Sequence, residues 1–555
     1  MMAGIVKCQY FPAAIIPDDV SLPEFTLREM AKYGDRIAMI ESMSGRTHTY
    51  ADLLARTDHL TCGLQLKEVN KGMVIALVSS CCPDYGVLTL AATRLGAIIT
   101  TANPSYTHEE LIKQFQGSTV ELVFCQMEQL EKIRKVKAEV SSIKKIVLLD
   151  AESSTRGEET IEDLIDLGRH RRLSPLPVCR PKEDTCLILY SSGTTGLPKG
   201  VLLTHFNLVA CLCQVTSVNQ PPHSRDGMIQ MGKDDVLYSC FPYFHVGGMF
   251  LSILWPLVQG CRIVISPRFE PRHFLTTVQK YKATLLLLPP PVIVFLSKSP
   301  MVAEFDLSSV ACIICGAAPV PAEEAKIVMH KLGGRPYILQ AYGMTELSPF
   351  CHLMLSTEES RNRLNSAGVL ISSTEAMVVD PVTGATCGLM EKGEICIRGP
   401  QVMKGYLGNP KATSETITAD GFIKTGDIGY YDEKGFFYVV DRLKELIKVR
   451  GFQVAPAELE ALILTHDGVQ DVIVIGIPDS YSGELPRAYV ITKPGHILTE
   501  SDIKRHVKGH VSRYKELAGG VKFVQELPKT QSGKPLRRIL REEAKKEKEN
   551  ISSKL

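Results

Sequence analysis

Residues 190–201 read YSSGTTGLPKGV, running from Tyr190 to Val201 directly after the apolar run at 185–189. Glycines at 193, 196 and 200 free the backbone to curl around an anion. Ser191, Ser192, Thr194 and Thr195 offer hydroxyl donors, and Lys199 adds a positive charge. Such a loop is a cradle for a polyphosphate. Its spacing is not that of the Walker loop, which places four residues between the first glycine and a Gly-Lys-Ser/Thr that opens a helix. Here Gly193, Gly196 and Lys199 stand three apart, and Pro198 precedes the lysine.

On the N-terminal side of the cradle, β-rich runs at 73–78, 122–125 and 145–149 alternate with helical patterns at 51–66 and 109–115. On the C-terminal side, a second series of strands is expected at 236–240, 262–265, 284–288, 311–315 and 337–340. Alternation of this kind predicts parallel sheets wrapped by helices. The fold class is therefore α/β, with two doubly wound subdomains in a large N-terminal domain. Residues 150–181, charged and then proline-containing, read as a surface connection. From 368 to 431, short β runs broken by Gly and Pro predict a small barrel-like β subdomain. Beyond it, strands at 472–476 and 488–491 and a helix at 500–511 predict a small α+β C-terminal domain.

A chain of 555 residues exceeds what one core usually supports, and 45% apolar content is ample for two or more domains. With 63 basic and 61 acidic residues, nothing points to nucleic acid as a partner. Sixteen cysteines scattered through apolar runs predict a reducing compartment. Cys312 and Cys315 form a CxxC inside the apolar run 310–315, which reads as a pair of buried strand thiols. The most apolar segment, 283–296, is interrupted by prolines at 289–291 and falls short of the ~20 residues that a membrane-spanning helix needs. The N-terminal stretch, with Asp18, Asp19 and several prolines, fits neither a secretory nor a mitochondrial presequence. The last three residues, Ser553, Lys554 and Leu555, spell the peroxisomal address after a charged tail expected to be mobile, 541–554. The expected location is the peroxisomal matrix, with the import receptor as a partner.

The cradle string, together with GEICIRG at 393–399, resembles the signature motifs of the adenylate-forming enzymes. That superfamily holds the acyl-CoA synthetases, firefly luciferase and peptide-synthetase adenylation domains. The chain looks most like its 4-coumarate:CoA ligase and luciferase branch, from about residue 25 to 540. The resemblance implies ATP, Mg²⁺ and coenzyme A as cofactor and co-substrates. It also implies roles for residues in motifs that follow predicted strand ends, where open α/β sheets bind ligands. In FPYFHVGG, 241–248, His245 lines the site, closes the acyl pocket and helps neutralise the reacting carboxylate or α-phosphate. In GAAP, Gly316, Ala317 and Ala318 offer small residues against which a flat base can lie. In QAYGMTE, the segment Gln340, Ala341, Tyr342 and Gly343 belongs to the nucleotide site, with Tyr342 stacking on adenine. Thr345 bonds the α-phosphate and Glu346 helps to hold Mg²⁺.

Asp427 of Thr425-Gly426-Asp427 suits both ribose hydroxyls, and Arg442 reaches ribose and phosphate. Lys444 stands at the family's hinge, giving an N-terminal domain of 1–443 and a mobile C-terminal lid of 444–555. Past the hinge, Arg450 and Gly451 line the pantetheine route while Lys448 and Gln453 contact the adenylate. In PKTQSGKPLRR, 528–538, a flexible Ser532-Gly533 turn presents Lys534, which matches the family's catalytic lysine.

These parts suit one piece of chemistry. A carboxylate cannot acylate a thiol at neutral pH because its leaving group would be oxide, so it must first become a mixed anhydride. The expected reaction is attack on the α-phosphorus of ATP, loss of pyrophosphate into the cradle, and transfer of the acyl group to CoA. Where the family's aromatic-acid enzymes have an aromatic residue two places after the histidine, this chain has Gly247, followed by Gly248. With the peroxisomal address, that departure favours medium- or long-chain fatty acids. The alternatives are an aromatic-acid ligase of the 4-coumarate type, a luciferase-like monooxygenase, an adenylation enzyme loading a carrier protein, and an inactive acyl-binding relative.

Overall fold

The structure, a computed structural model, describes residues 4–151, 157–191, 199–217, 231–316, 320, 322–443, 445–449, 452–479, 482–508, 510–511, 513–530 and 533–552. The chain divides into two compact units, one of Val6–Ala376 with Ile397–Ile423, the other of Met1–Ile5, Met377–Cys396 and Lys424–Leu555.

The larger unit carries two sheets. Among the described residues the first has eight strands in the order Gly405–Tyr406, Lys199–Thr204, Thr185–Ser191, Ile98–Ala102, Val74–Val78, Val120–Cys125, Lys145–Leu148 and Glu159–Thr160. Val74–Val78 is buried along its whole length, which is why it reads as an unbroken apolar run and not as an alternating one. The second sheet runs Val369–Leu370, Phe350–Leu353, Tyr337–Gly343, Cys312–Cys315, Leu285–Leu288, Val236–Ser239, Arg262–Ile265, Ile37–Glu41 and Thr47–Thr49. Five of these, from Tyr337–Gly343 to Arg262–Ile265, are mutually parallel neighbours, so their carboxyl ends emerge along one edge. Helices start where threonines cap them. Thr49, Thr107, Thr160 and Thr204 each exchange hydrogen bonds with the residue three places on, a capping box contributing about 1 kcal/mol.

Three readings of the sequence need correction in detail. Residues 150–181 are not only a connection, because Ile161–Arg169 is a helix that buries Ile161, Leu164, Ile165 and Gly168. The segment read as barrel-like is a five-stranded sheet, ordered Val6–Lys7, Glu375–Val379, Gly393–Arg398, Ile423–Tyr431 and Phe437–Arg442. The tail read as mobile is helical over Arg537–Ser552, and it buries Leu540 and Ala544. Its apolar positions are few but fall on one face, so a charged composition concealed an amphipathic helix.

The smaller unit also holds a five-stranded sheet, Phe452–Val454, Ile447–Val449, Gly483–Thr492 and Val469–Asp479, with Val521–Phe523 pairing parallel to Gly483–Thr492. Its core is Ile447, Val454, Leu459, Ile463, Val474, Val490 and Ile503. The helix expected at 500–511 ends sooner, as Glu500–Val507, because Lys508 turns to extended backbone. Among the described residues, no helix is long and apolar enough to cross a membrane.

Candidate active site

The glycine-rich stretch is flanked by two antiparallel strands. Thr185–Ser191 pairs antiparallel with Lys199–Thr204, and Ser191 lies directly opposite Lys199. A Walker loop would open a helix here; this one returns as a strand. Ser192, Gly193, Thr194 and Thr195 lie outside the described residues, as do Ala317, Ala318, Lys444, Arg450, Gly451, Ser532 and the Ser553, Lys554, Leu555 tripeptide.

One foot of the loop, Ser191, meets a carboxylate carried by the turn after Tyr337–Gly343, and the other, Lys199, stands by the tyrosine that shares it. Ser191 Oγ donates to Glu346 Oε1 at 3.0 Å. Tyr406 OH donates to the same oxygen at 3.0 Å. Lys199 Nζ sits 4.9 Å from the centroid of the Tyr406 ring, a cation–π contact. Glu346 is only 5% exposed. Burial, and then the neighbouring Glu346 charge, push the Tyr406 phenol well above its ordinary range. The carboxylate is thus held by two hydroxyls with a lysine close by, and Met403 N–H fixes the backbone by donating to Glu346 O at 2.9 Å. Such an arrangement offers hard oxygen donors beside a cation, which suits a divalent metal and phosphate oxygens together. Among the described residues, no group of three or more His, Cys, Asp or Glu side chains could hold a metal ion.

Tyr406 was missed by reading the sequence. Its signal is faint: a tyrosine after Gly405, in a two-residue strand whose partner, Val201, lies far away in the chain.

The carboxyl ends of the parallel strands supply the next residues. Cys312 and Cys315 are buried strand thiols, and Cys315 pairs with Gln340. Gly316 and Ala341 follow side by side, and a β-carbon on Gly316 would touch Ala341 O at 3.5 Å. Gln340 differs from expectation. Its side-chain amide donates to Leu364 O and to Ser366 O, the latter at 3.3 Å, and its Oε1 accepts from Val320 N at 3.2 Å. Those bonds occupy the amide in holding loops together, leaving the backbone as its means of touching a ligand. Tyr342 is half-buried, its ring 5.5 Å from that of His352. Full burial pushes the His352 imidazole down to about 3. Gly343 is required by packing, since a β-carbon there would lie 1.9 Å from Pro349 O. Thr345 opens the short 3₁₀ turn Thr345–Leu347 that carries Glu346.

His245 caps the helix Val246–Met249 and is exposed. Its loop is tied to the strand Ile98–Ala102 and to the turn that follows Val74–Val78. Thr101 Oγ1 donates to Phe244 O at 2.6 Å, and the Cys81 thiol donates to Phe241 O at 3.3 Å. A β-carbon on Gly248 would collide with Pro242 O at 2.0 Å, whereas one on Gly247 meets nothing within 4 Å.

The smaller unit groups the remaining residues by itself. Asp427 and Arg442 pair across adjacent strands, Arg442 Nε standing 3.4 Å from Asp427 Oδ1. Thr425 Oγ1 accepts from Asp427 N at 3.1 Å and donates to Ile395 O at 2.7 Å, so the Thr-Gly-Asp turn is fixed. Lys448 and Gln453 face each other in the hairpin Ile447–Val449 and Phe452–Val454, and Lys448 is exposed. Lys534 stands in a tight turn. Thr530 N donates to Lys534 O at 2.9 Å, Lys534 N to Thr530 Oγ1 at 3.1 Å and Gly533 N to Thr530 O at 2.8 Å. Gly533 takes a left-handed φ of 82°, open to glycine.

Comparison with known proteins places these groups in context. A family model described as AMP-binding enzyme matches residues 27–407, and one described as AMP-binding enzyme C-terminal domain matches 458–534. The probable 4-coumarate–CoA ligase 1 of Dictyostelium discoideum is 36% identical over 543 residues, covering 96% of each chain. Among solved structures, the ATP-bound MatB of Rhodopseudomonas palustris is similar at a TM-score of 0.84 and 27% identity, over 94% of this chain and 99% of that one. A fatty acyl CoA synthetase of Mycobacterium tuberculosis is similar at 0.73 and 25% identity, over 94% of this chain and 98% of that one.

Proposed function

This chain belongs to the AMP-binding, adenylate-forming enzymes and is an acid–thiol ligase; from that premise we propose that it activates medium- or long-chain fatty acids to their CoA thioesters in the peroxisome. The ligase makes an acyl-adenylate from ATP and a carboxylic acid, then passes the acyl group to CoA. The observation that carries our account of the first step is the shared contact of Ser191 and Tyr406 on Glu346 beside Lys199.

In that account the substrate carboxylate attacks the α-phosphorus, and the bond to pyrophosphate breaks as the new P–O bond forms. Ser191, Ser192, Gly193, Thr194, Thr195 and Lys199 take the departing pyrophosphate. Thr345, His245 and Lys534 donate to the carboxylate and α-phosphate oxygens as charge gathers there, where fixed donors act most strongly. Glu346 would hold Mg²⁺, which would supply charge neutralisation for the phosphates. Gly316, Ala317, Ala318, Ala341 and Tyr342 receive adenine, and Asp427 accepts from the ribose hydroxyls with Arg442 alongside. Rotation about Lys444 then withdraws Lys534 and brings Arg450, Gly451, Lys448 and Gln453 to the pantetheine route. The CoA thiolate attacks the acyl carbonyl and AMP leaves.

Gly247 supports the choice of acid. A β-carbon there would meet nothing within 4 Å, and in this reading the missing aromatic side chain leaves room for a long acyl chain. Likeness to a protein named fatty acyl CoA synthetase agrees with this choice. An aromatic acid is the second reading, favoured by the name of the Dictyostelium relative. A panel of acids graded in chain length and aromaticity, scored for both pyrophosphate and thioester, tests the two. The proposal expects the highest kcat/KM on medium or long chains. A maximum on hydroxycinnamates transfers the enzyme to the aromatic class. The peroxisomal part rests on Ser553, Lys554 and Leu555 as a receptor-read address. Deleting these three residues from a fluorescent fusion should leave it in the cytosol, and unchanged import would refute the address.

A further inference from the structure

The turn that carries Lys534 is anchored at both feet to a single strand, and we propose that Lys529, Asp471, Arg537 and Glu460 are positioning residues for the adenylation step. This rests on the role given to Lys534 above. On the N-terminal side of the turn, Lys529 Nζ donates to Asp471 Oδ1 at 2.8 Å and Oδ2 at 2.6 Å. On the C-terminal side, Arg537 Nη2 donates to both oxygens of Glu460, at 2.8 and 2.7 Å, and Arg537 Nε donates to Val474 O at 3.1 Å. Glu460 Oε1 also accepts from Val474 N at 2.7 Å. Asp471 and Val474 both belong to Val469–Asp479, which pairs with Gly483–Thr492 over its full length. The turn is further closed by Leu536 N donating to Pro528 O at 2.9 Å, and the helix after it packs Leu540 and Ala544 on Ile473, Ile475 and Tyr489.

A turn expected to be flexible is thus tied to a strand that is itself held along its length by Gly483–Thr492. The reason lies in what a catalytic lysine requires. Its side chain already carries ~2 kcal/mol of rotamer entropy, and catalytic geometry tolerates displacements of only ~0.5 Å. A loose backbone beneath it would add freedom where none can be spared. The Lys529–Asp471 side chains are 28% and 32% exposed, a setting in which an ion pair contributes little to stability. Conformational placement is the work left for such a pair. The Arg537–Glu460 pair, at 11% and 13%, is buried, and its fork geometry fixes direction as well as distance.

The test uses Asp471→Asn in the full-length enzyme, with two rates measured: acid-dependent pyrophosphate release from ATP, and thioester formation from synthetic acyl-adenylate and CoA. We expect kcat of the first to fall about tenfold with KM for ATP changing less than twofold, and the second to stay within twofold of wild type. Exchanging the pair, Asp471→Lys with Lys529→Asp, should recover most of the lost rate. Arg537→Lys, which keeps the charge but loses the fork, should show the same split. Equal loss of both rates, or loss of neither, overturns the proposal. Two further outcomes overturn it through its premise and are read from other samples: wild-type enzyme failing to convert acyl-adenylate, or Lys534→Ala retaining pyrophosphate release.

Discussion

The phenol of Tyr406 and the carboxylate of Glu346, 60 positions apart, are joined by a 3.0 Å hydrogen bond while the same phenol ring lies 4.9 Å beneath the Lys199 ammonium. One tyrosine therefore touches both a buried carboxylate and a lysine at the foot of the glycine-rich loop. A hydrogen bond to a charged group is worth ~1.5–3 kcal/mol, or at least about tenfold in rate if it matters in the transition state. Tyr406→Phe keeps the ring under Lys199 and removes only that bond. ATP–pyrophosphate exchange should fall about tenfold or more, with the fold intact by circular dichroism; an unchanged rate would exclude Tyr406 from the site.

Lys534→Ala should separate the half-reactions. Loss of one charged donor to the α-phosphate costs ~3 kcal/mol, on the order of 10² in rate. Adenylate formation should drop by that factor, while thioester formation from supplied acyl-adenylate continues. A parallel fall in both rates would refute the division of labour.

Gly247 and Gly248 are neighbours with opposite tolerances. A β-carbon at 247 meets nothing within 4 Å, so Gly247→Tyr should fold normally and narrow the acyl site we propose. We expect kcat/KM on long acids to fall about tenfold and preference to move to shorter or flatter ones. At 248 the 2.0 Å approach to Pro242 O forces the backbone to shift, an overpacking cost of ~1–3 kcal/mol. Gly248→Ala should lower the melting temperature whatever the substrate.

Acid sensitivity follows from His205. It is 1% exposed and accepts from Leu22 N through Nδ1 at 3.2 Å. Burial pushes its imidazole from 6.5 down to about 4, with Asp184 opposing and Lys71 adding to the shift. Between those values the unfolded chain binds a proton that the folded one does not. Stability therefore falls as pH drops from about 6.5 to 4, by ~3 kcal/mol at most. His205→Gln can accept the same hydrogen bond without titrating. Its melting temperature should fall less steeply across that window than wild type's, and identical slopes would show that His205 is not the group responsible.

What could be read in the linear chain was what lies close along it. The apolar runs at 262–265 and 393–398 are strands with those bounds, and the alternation of strands and helices predicted two parallel-rich sheets. The hydroxyl, glycine and lysine string stood out because a family signature of this kind is written in consecutive residues. Local pattern also misled where composition hid amphipathicity, in Ile161–Arg169 and Arg537–Ser552.

Only the tertiary structure decided which distant groups meet. Ser191, Tyr406 and Glu346 come from three separate strands or turns, and Asp471 reaches Lys529 across 58 positions. Periodicity tells a segment which face to bury, but not which partner covers it, because burial is non-directional and the partner is chosen by packing and register over the whole sheet. For that reason the family was legible in twelve consecutive residues, while the contact of Tyr406 with Glu346 and the ion pairs around the Lys534 turn were not.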